Sequence, residues 1–70
     1  MTAEQYNAAC KRLGLDIFTA ATLLGVAVRT TRRWEDGTRA VPPPVARFLA
    51  LLIALKKDGA WAIKKLEQGK

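Results

Sequence analysis

Seventy residues make one domain at most, and half of them are hydrophobic, so the chain can fold around a thin core of the kind that supplies only about 3–5 kcal/mol. Twelve Lys and Arg against six Asp and Glu leave a net charge of +6, which favours a polyanionic partner or an anionic membrane surface. Histidine is absent and Cys10 is the single cysteine, which excludes a disulfide within the chain and a zinc site of the Cys/His kind.

The chain opens on a capping-box pattern, with Thr2 as N-cap and Gln5 three residues on. Tyr6, Ala9, Cys10 and Leu13 then follow the spacing of a buried helical stripe. A first helix over Ala3–Leu13 is predicted, ended by Gly14. In that stripe Cys10 reads as a buried, reduced thiol. Asp16 is a good N-cap for a second helix, Ile17–Leu24. Ile17, Ala20, Ala21 and Leu24 group on one side of it, with Thr19 and Thr22 on the other. Ala20 and Ala21 are small enough to permit close approach of another helix. Gly25 breaks this helix and Val26 lies in the turn.

A third helix is predicted over Val28–Asp36, ended by Gly37, with a loop from Thr38 to Val41. Pro42, Pro43 and Pro44 stiffen the start of a fourth helix, since proline suits the first turn of a helix and not its interior. That helix is predicted from Pro43 to Lys57. Val45, Phe48, Leu49 and Leu52 give it a core stripe, while Leu51, Ile53, Ala54 and Leu55 spread apolar surface almost all round. Gly59 breaks the pattern. A short last helix, about 60–67, offers Trp61, Ile63 and Leu66 as contacts, and the tail from Glu67 to Lys70 is expected to fray. No alternating strand pattern, internal repeat or low-complexity segment interrupts this all-α reading. Glu4 and its polar neighbours interrupt any signal-peptide pattern, and the apolar run Phe48–Leu55 is too short to span a bilayer, so a cytoplasmic location is expected.

The most informative stretch is Leu23–Gly37, LLGVAVRTTRRWEDG. On a helix of about 100° per residue, Ala27, Thr31 and Trp34 fall on one side, and Arg29, Arg32 and Arg33 fall opposite within roughly a 100° arc. Four of the six arginines lie between Arg29 and Arg39, whereas the lysines sit mainly near the C-terminal end. Arginine makes bidentate bonds to guanine edges and phosphates; lysine acts as a point charge. A short helix with an apolar back and a triple-arginine front suits insertion into a groove of nucleic acid. Trp34 points away from the arginines and reads as core. Asp36 lies on the arginine face, where it can pair with or orient a guanidinium, and Glu35 lies off that face. Lys56, Lys57, Lys64 and Lys65 read as solvated surface. Asp16, Asp36 and Asp58 sit near helix ends, where capping explains them, so no catalytic constellation remains and no enzyme, cofactor or metal site is expected.

Two helices joined by a short glycine-containing turn, the second basic on its outer face, make a helix-turn-helix pattern over about residues 16–37. The stretch resembles the lambda-repressor-like, Cro/XRE-type helix-turn-helix regulators of bacteria and phages. A common form of their motif reads LSQ-x-x-x-A-x-x-LGVS-x-x-T-x-x-RWE-x-G. Leu15, Ala21, Leu24, Gly25, Val26, Thr30, Arg33, Trp34, Glu35 and Gly37 match it, within a resemblance that covers about Leu13 to Leu55. The resemblance implies a compact bundle of four or five helices that binds operator DNA, usually as a homodimer. By position it implies that Val28, Arg29, Arg32 and Arg33 face bases, and that Thr19, Thr30 and Arg39 sit near phosphates. Ala21, Gly25, Val26 and Trp34 would form the scaffold of the motif.

Three positions depart from the family pattern. Ala27 stands where serine is common, so the third helix lacks a side-chain N-cap, a loss of about 1 kcal/mol. Ile17 stands where glutamine often touches the DNA backbone, and cannot make that hydrogen bond. Thr31 replaces an aliphatic residue on the buried side. The expected function is a double-stranded-DNA-binding transcriptional regulator, a repressor acting by occupancy. The alternatives are an antitoxin that also binds a toxin, an excisionase-like architectural DNA binder, and a protein–protein adaptor that uses the motif only as a scaffold. The broad apolar surface of Phe48–Leu55, with the segment around Trp61, points to a dimer.

Overall fold

The computed structural model describes residues 1–69 and is all-helical there, with five helices in the order α1 (Ala3–Arg12), α2 (Ile17–Leu24), α3 (Val28–Asp36), α4 (Pro43–Ala54) and α5 (Gly59–Gln68). No helix among the described residues is long and apolar enough to cross a membrane.

The helix starts follow local chemistry. Thr2 Oγ1 accepts from the Gln5 N–H at 3.1 Å, and Gln5 Oε1 accepts from the Thr2 N–H at 2.9 Å. A second reciprocal box opens α2: Asp16 Oδ1 accepts from the Thr19 N–H at 2.7 Å, while the Thr19 hydroxyl accepts from the Asp16 N–H at 2.9 Å. Each box satisfies two backbone groups that a helix end leaves unpaired. α4 instead begins with Pro42 as its N-cap and prolines in its first turn, where no N–H is missed.

α1 closes in a Schellman turn. Leu13 is its C-cap, Gly14 takes φ +71°, and the Leu15 N–H reaches the Cys10 carbonyl at 2.8 Å. α4 closes in the same way, but three residues before the expected end at Lys57. Lys56 takes the left-handed conformation at φ +57°, and the Lys57 N–H reaches the Leu52 carbonyl at 3.0 Å. No glycine marks that position, so the apolar periodicity alone ran past the true stop.

Gly59 also differs from its sequence reading. It does not separate two elements; it is the buried first residue of α5, capped by Asp58 through the Trp61 N–H at 2.8 Å. Its own N–H donates to the Leu13 carbonyl at 2.9 Å. A Cβ at this position would fall onto the side chain of Leu15. Glycine is therefore there for close approach, bringing the start of α5 against the α1–α2 turn. Of the tail expected to fray, Glu67 and Gln68 belong to α5, and Lys70 lies outside the described residues.

The core gathers Tyr6 and Cys10 from α1, Leu13 and Leu15 from the turn that follows it, Ala20 and Leu23 from α2, and Trp34 from α3. Val41, Leu49, Leu52 and Ala62 complete it. α2 corrects the expected stripe. Ala20, Ala21 and Leu23 are buried, while Ile17 and Leu24 are only half-buried. The reason is that α2 packs on both α3 and α5, so it needs two apolar edges rather than one stripe. Phe18 lies on neither edge and is 65% exposed.

At the centre, the rings of Tyr6 and Trp34 meet edge to face, with centroids 5.8 Å apart and planes at 73°. Such a pair contributes about 0.5–1.5 kcal/mol beyond its buried area. The Tyr6 hydroxyl and Trp34 Nε1 are both buried without a hydrogen-bond partner. Burial first, and the neighbouring Cys10 thiol second, push the Tyr6 hydroxyl above its ordinary value of 10.0. Burial likewise raises the Cys10 thiol, which keeps it protonated.

Two outcomes are expected. Gly59→Ala should lower stability by about 1–3 kcal/mol, because a methyl group cannot be added without displacing Leu15; urea unfolding measures this, and an unchanged midpoint would refute the close approach. Tyr6→Phe should be neutral or stabilising by up to about 1 kcal/mol at neutral pH, since the hydroxyl it removes is buried without a hydrogen-bond partner. The native state holds the Tyr6 proton more tightly than the unfolded chain does. The stability tied to this group is thus complete below pH 10 and is lost as the pH rises above that value. Unfolding curves taken up the alkaline limb should be less steep in pH for Tyr6→Phe than for the parent chain.

Candidate nucleic-acid interface

α3 is a locally weak helix held in place by its neighbours. Its N-cap, Ala27, makes no side-chain hydrogen bond, and no acidic residue lies in its first turn. Arg29 occupies that turn instead, where the helix dipole is positive and disfavours a cation. The compensation is tertiary. Trp34 is 3% exposed against Tyr6, and Thr31 is fully buried. The Thr31 hydroxyl donates to the Val28 carbonyl at 2.7 Å, so the polar atom that replaces an aliphatic branch is satisfied inside the helix. Asn7 of α1 adds a second tie: its Nδ2 donates to the Glu35 carbonyl at 2.9 Å, one of the last carbonyls of α3 that no helical N–H can reach. Asn7 occupies an exposed polar position, and nothing in its sequence context signals this positioning role.

With Thr31 and Trp34 held inward, Arg29, Arg32 and Arg33 are exposed on the outward side of α3. Val28 and Thr30 are half-buried on its flanks. Gly25, at φ +69°, is the left-handed C-cap of α2, and the Val26 N–H closes the turn onto the Ala21 carbonyl at 3.1 Å. Ala21 is buried beside this turn and Val26 packs half-buried on the core. These four, Ala21, Gly25, Val26 and Trp34, set the placement of α3 against α2.

The loop after α3 is also pinned. Gly37 takes φ +81°, and the Arg39 N–H donates to the Arg33 carbonyl at 3.2 Å. The exposed Arg39 side chain therefore starts close to the C-terminal end of the arginine face. Asp36 Oδ1 accepts from the Thr38 N–H at 2.8 Å. Its bonds to Thr38, followed by attraction to Arg33, hold its carboxyl below the usual carboxylate range. Asp36 thus serves first as a clasp for the Gly37–Arg39 loop. It still adds a negative charge beside the arginines.

Thr19 is placed differently from Arg39. Its hydroxyl is engaged with Asp16, lying 3.0 Å from Asp16 Oδ1 as well as accepting the Asp16 N–H. A phosphate approaching Thr19 would meet the Asp16 carboxylate, which these bonds keep ionised. The structure thus presents Arg29, Arg32, Arg33 and Arg39 as exposed cations on α3 and the loop pinned to its end, with Thr30 half-buried on the flank of α3. It commits the Thr19 hydroxyl to a helix cap.

The missing N-cap of α3 is directly testable. Ala27→Ser should raise stability by about 1 kcal/mol, since the Ala27 backbone already has the extended conformation of a cap and a hydroxyl could accept from the first free N–H groups. Thermal unfolding reads this as a higher midpoint, and a lower one would show that Ala27 is held too tightly for a side chain. The chain matches no protein-family model, no curated protein and no solved structure.

Proposed function

We propose that the chain is a sequence-specific duplex-DNA binder, a transcriptional regulator of the repressor kind, that lays α3 in the major groove. The observation that carries this reading is the division of α3 into a buried side, Thr31 and Trp34, and an exposed side, Arg29, Arg32 and Arg33. A helix held by its back, with guanidinium groups in front, supplies what major-groove readout needs. Arg29, Arg32 and Arg33, with Val28 on the flank, are the base-reading set. Arg39 and Thr30 take the phosphates. The α2–turn–α3 unit is then a helix-turn-helix, and the net charge of +6 supplies the long-range attraction to DNA. Repression follows from occupancy, since a bound protein at a promoter excludes polymerase.

Selection of bound sequences from a random duplex pool at physiological salt tests the reading. The expected product is a site with guanine-containing half-sites. Arg33→Ala should then weaken binding by about 1–3 kcal/mol and relax preference at one position. A uniform loss across all sequences, with a shallower salt dependence, would reassign Arg33 to a phosphate. Absence of any enrichment, with no duplex affinity at low salt, would overturn DNA binding and favour a protein–protein adaptor.

The same function gives a role to α4. Leu51 is 54% exposed and Leu55 51%, on an edge of the helix that no other element covers. We propose that this edge joins two copies, so that two recognition helices meet successive major grooves about 34 Å apart. Sedimentation equilibrium of the chain with its selected duplex should give two protein chains per site, and Leu51→Lys should reduce this to one. A single chain per site in the parent protein would refute the dimer.

A further inference from the structure

Between α1 and α4 the surface opens into a groove of about 700 Å3. Its floor is apolar, built from Ala8 on one side and Ala50, Ile53 and Ala54 on the other. The three alanines are exposed and Ile53 is half-buried, so the floor faces water. Lys11 and Arg12, at the last turn of α1, stand on its margin. Past Arg12 and Ile53 the groove continues into a second hollow of about 230 Å3, which adds Lys56 and Lys57 from the turn after α4 together with one carboxylate, Asp58, which caps α5 through the Trp61 N–H. The result is an apolar trough whose one end carries four cations, Lys11, Arg12, Lys56 and Lys57, against one carboxylate, Asp58. No residue of α2 or α3 lines it.

We infer that this trough is a docking site for an acidic amphipathic helix of another protein. A helix lays an apolar face into such a trough and uses flanking charges to set its orientation. The charges that match Lys11, Arg12 and Lys56 are carboxylates, and rim charges of this kind govern association rate and partner choice. Duplex DNA does not suit the apolar floor, and a lipid surface does not fill a concave trough. A second copy of this chain lacks the complementary charge. Of its six acidic side chains, Asp16 and Asp58 sit singly at the starts of α2 and α5, and Asp36 sits beside the arginines of α3. Glu4, Glu35 and Glu67 are left, one each on α1, α3 and α5. No helix of the chain therefore offers an apolar face bordered by several carboxylates. Because the trough and the arginine face share no residue, a bound partner helix leaves α3 free, and the inference stands whether or not α3 reads DNA.

The test is selection from a phage-displayed library of helical peptides, with one face fixed as apolar and the flanking positions randomised, against the full chain. Enrichment of Asp and Glu at the flanks is expected. The best peptide, synthesised, should lose affinity by about tenfold or more on Ala50→Glu, which places a carboxylate on the apolar floor, and on Arg12→Glu. Its binding should weaken with salt and should be unchanged by Arg32→Ala and Arg33→Ala. Ala50 is exposed, so its replacement leaves the core untouched; a melting curve by circular dichroism confirms folding, and Ala8→Glu tests the opposite wall if Ala50→Glu unfolds. A peptide that survives Ala50→Glu but fails on Arg32→Ala and Arg33→Ala is a duplex mimic on α3 and overturns the inference. Enrichment without acidic flanks, or no enrichment, overturns it as well. Self-association of the chain that Ala50→Glu abolishes would assign the trough to a second copy instead.

Discussion

The edge-to-face contact of Tyr6 with Trp34 is the interaction on which the rest of the molecule depends. It binds α1 to α3, and it fixes the rotation of α3 about its own axis. Once Trp34 is inside, helical geometry leaves no choice about Arg29, Arg32 and Arg33, which must lie on the other side. The contact is bought at the cost of two buried polar atoms without partners, the Tyr6 hydroxyl and Trp34 Nε1. Each such atom costs about 1–3 kcal/mol when stranded, a large share of what a core this small provides. Large aromatic area and a definite ring geometry offset that cost, and together they give α3 one orientation rather than several.

That orientation matters because α3 has little stability of its own. It has no side-chain N-cap, a cation in its first turn and three arginines crowded on one face. Short helices in water are marginal even with better sequences. α3 persists because Thr31, Trp34 and the Asn7–Glu35 bond hold it from behind. The features that weaken it in isolation are the ones that make it a cationic surface. A polyanion set against the arginines would relieve their mutual repulsion. Asp36 moderates the same repulsion while it clasps the following loop through Thr38. The apolar trough between α1 and α4 lies outside this arrangement, so the two surfaces draw on different parts of one small bundle.

Much of the fold was legible because its signals are local. The box at Thr2–Gln5 and the cap at Asp16 act within one turn, and the predicted starts of α1 to α4 agree with the helices found. The turn glycines Gly14, Gly25 and Gly37 all take positive φ, a conformation that disfavours other residues. The signals failed where a residue departed from its local preference for a distant reason. Lys56 accepts the left-handed conformation that ends α4, so periodicity carried the predicted helix on to Lys57. Gly59 reads as a breaker in isolation and is the first residue of α5 in the fold. The resemblance assigns the Thr19 hydroxyl to a phosphate, whereas a bond as local as those of the other caps, to Asp16 three residues back, draws it into the start of α2.

Sequence alone determined where the first four helices begin and that tryptophan and arginine occupy opposite sides of α3, because both follow from hydrogen-bond capping and a fixed angle per residue. Only the tertiary structure decided which edges of α2 are buried, where α4 stops, that Gly59 makes room for Leu15, and that α1 and α4 leave an open trough. Those outcomes depend on how neighbouring helices approach one another. Contacts between residues far apart in the chain leave no trace in the spacing of either segment.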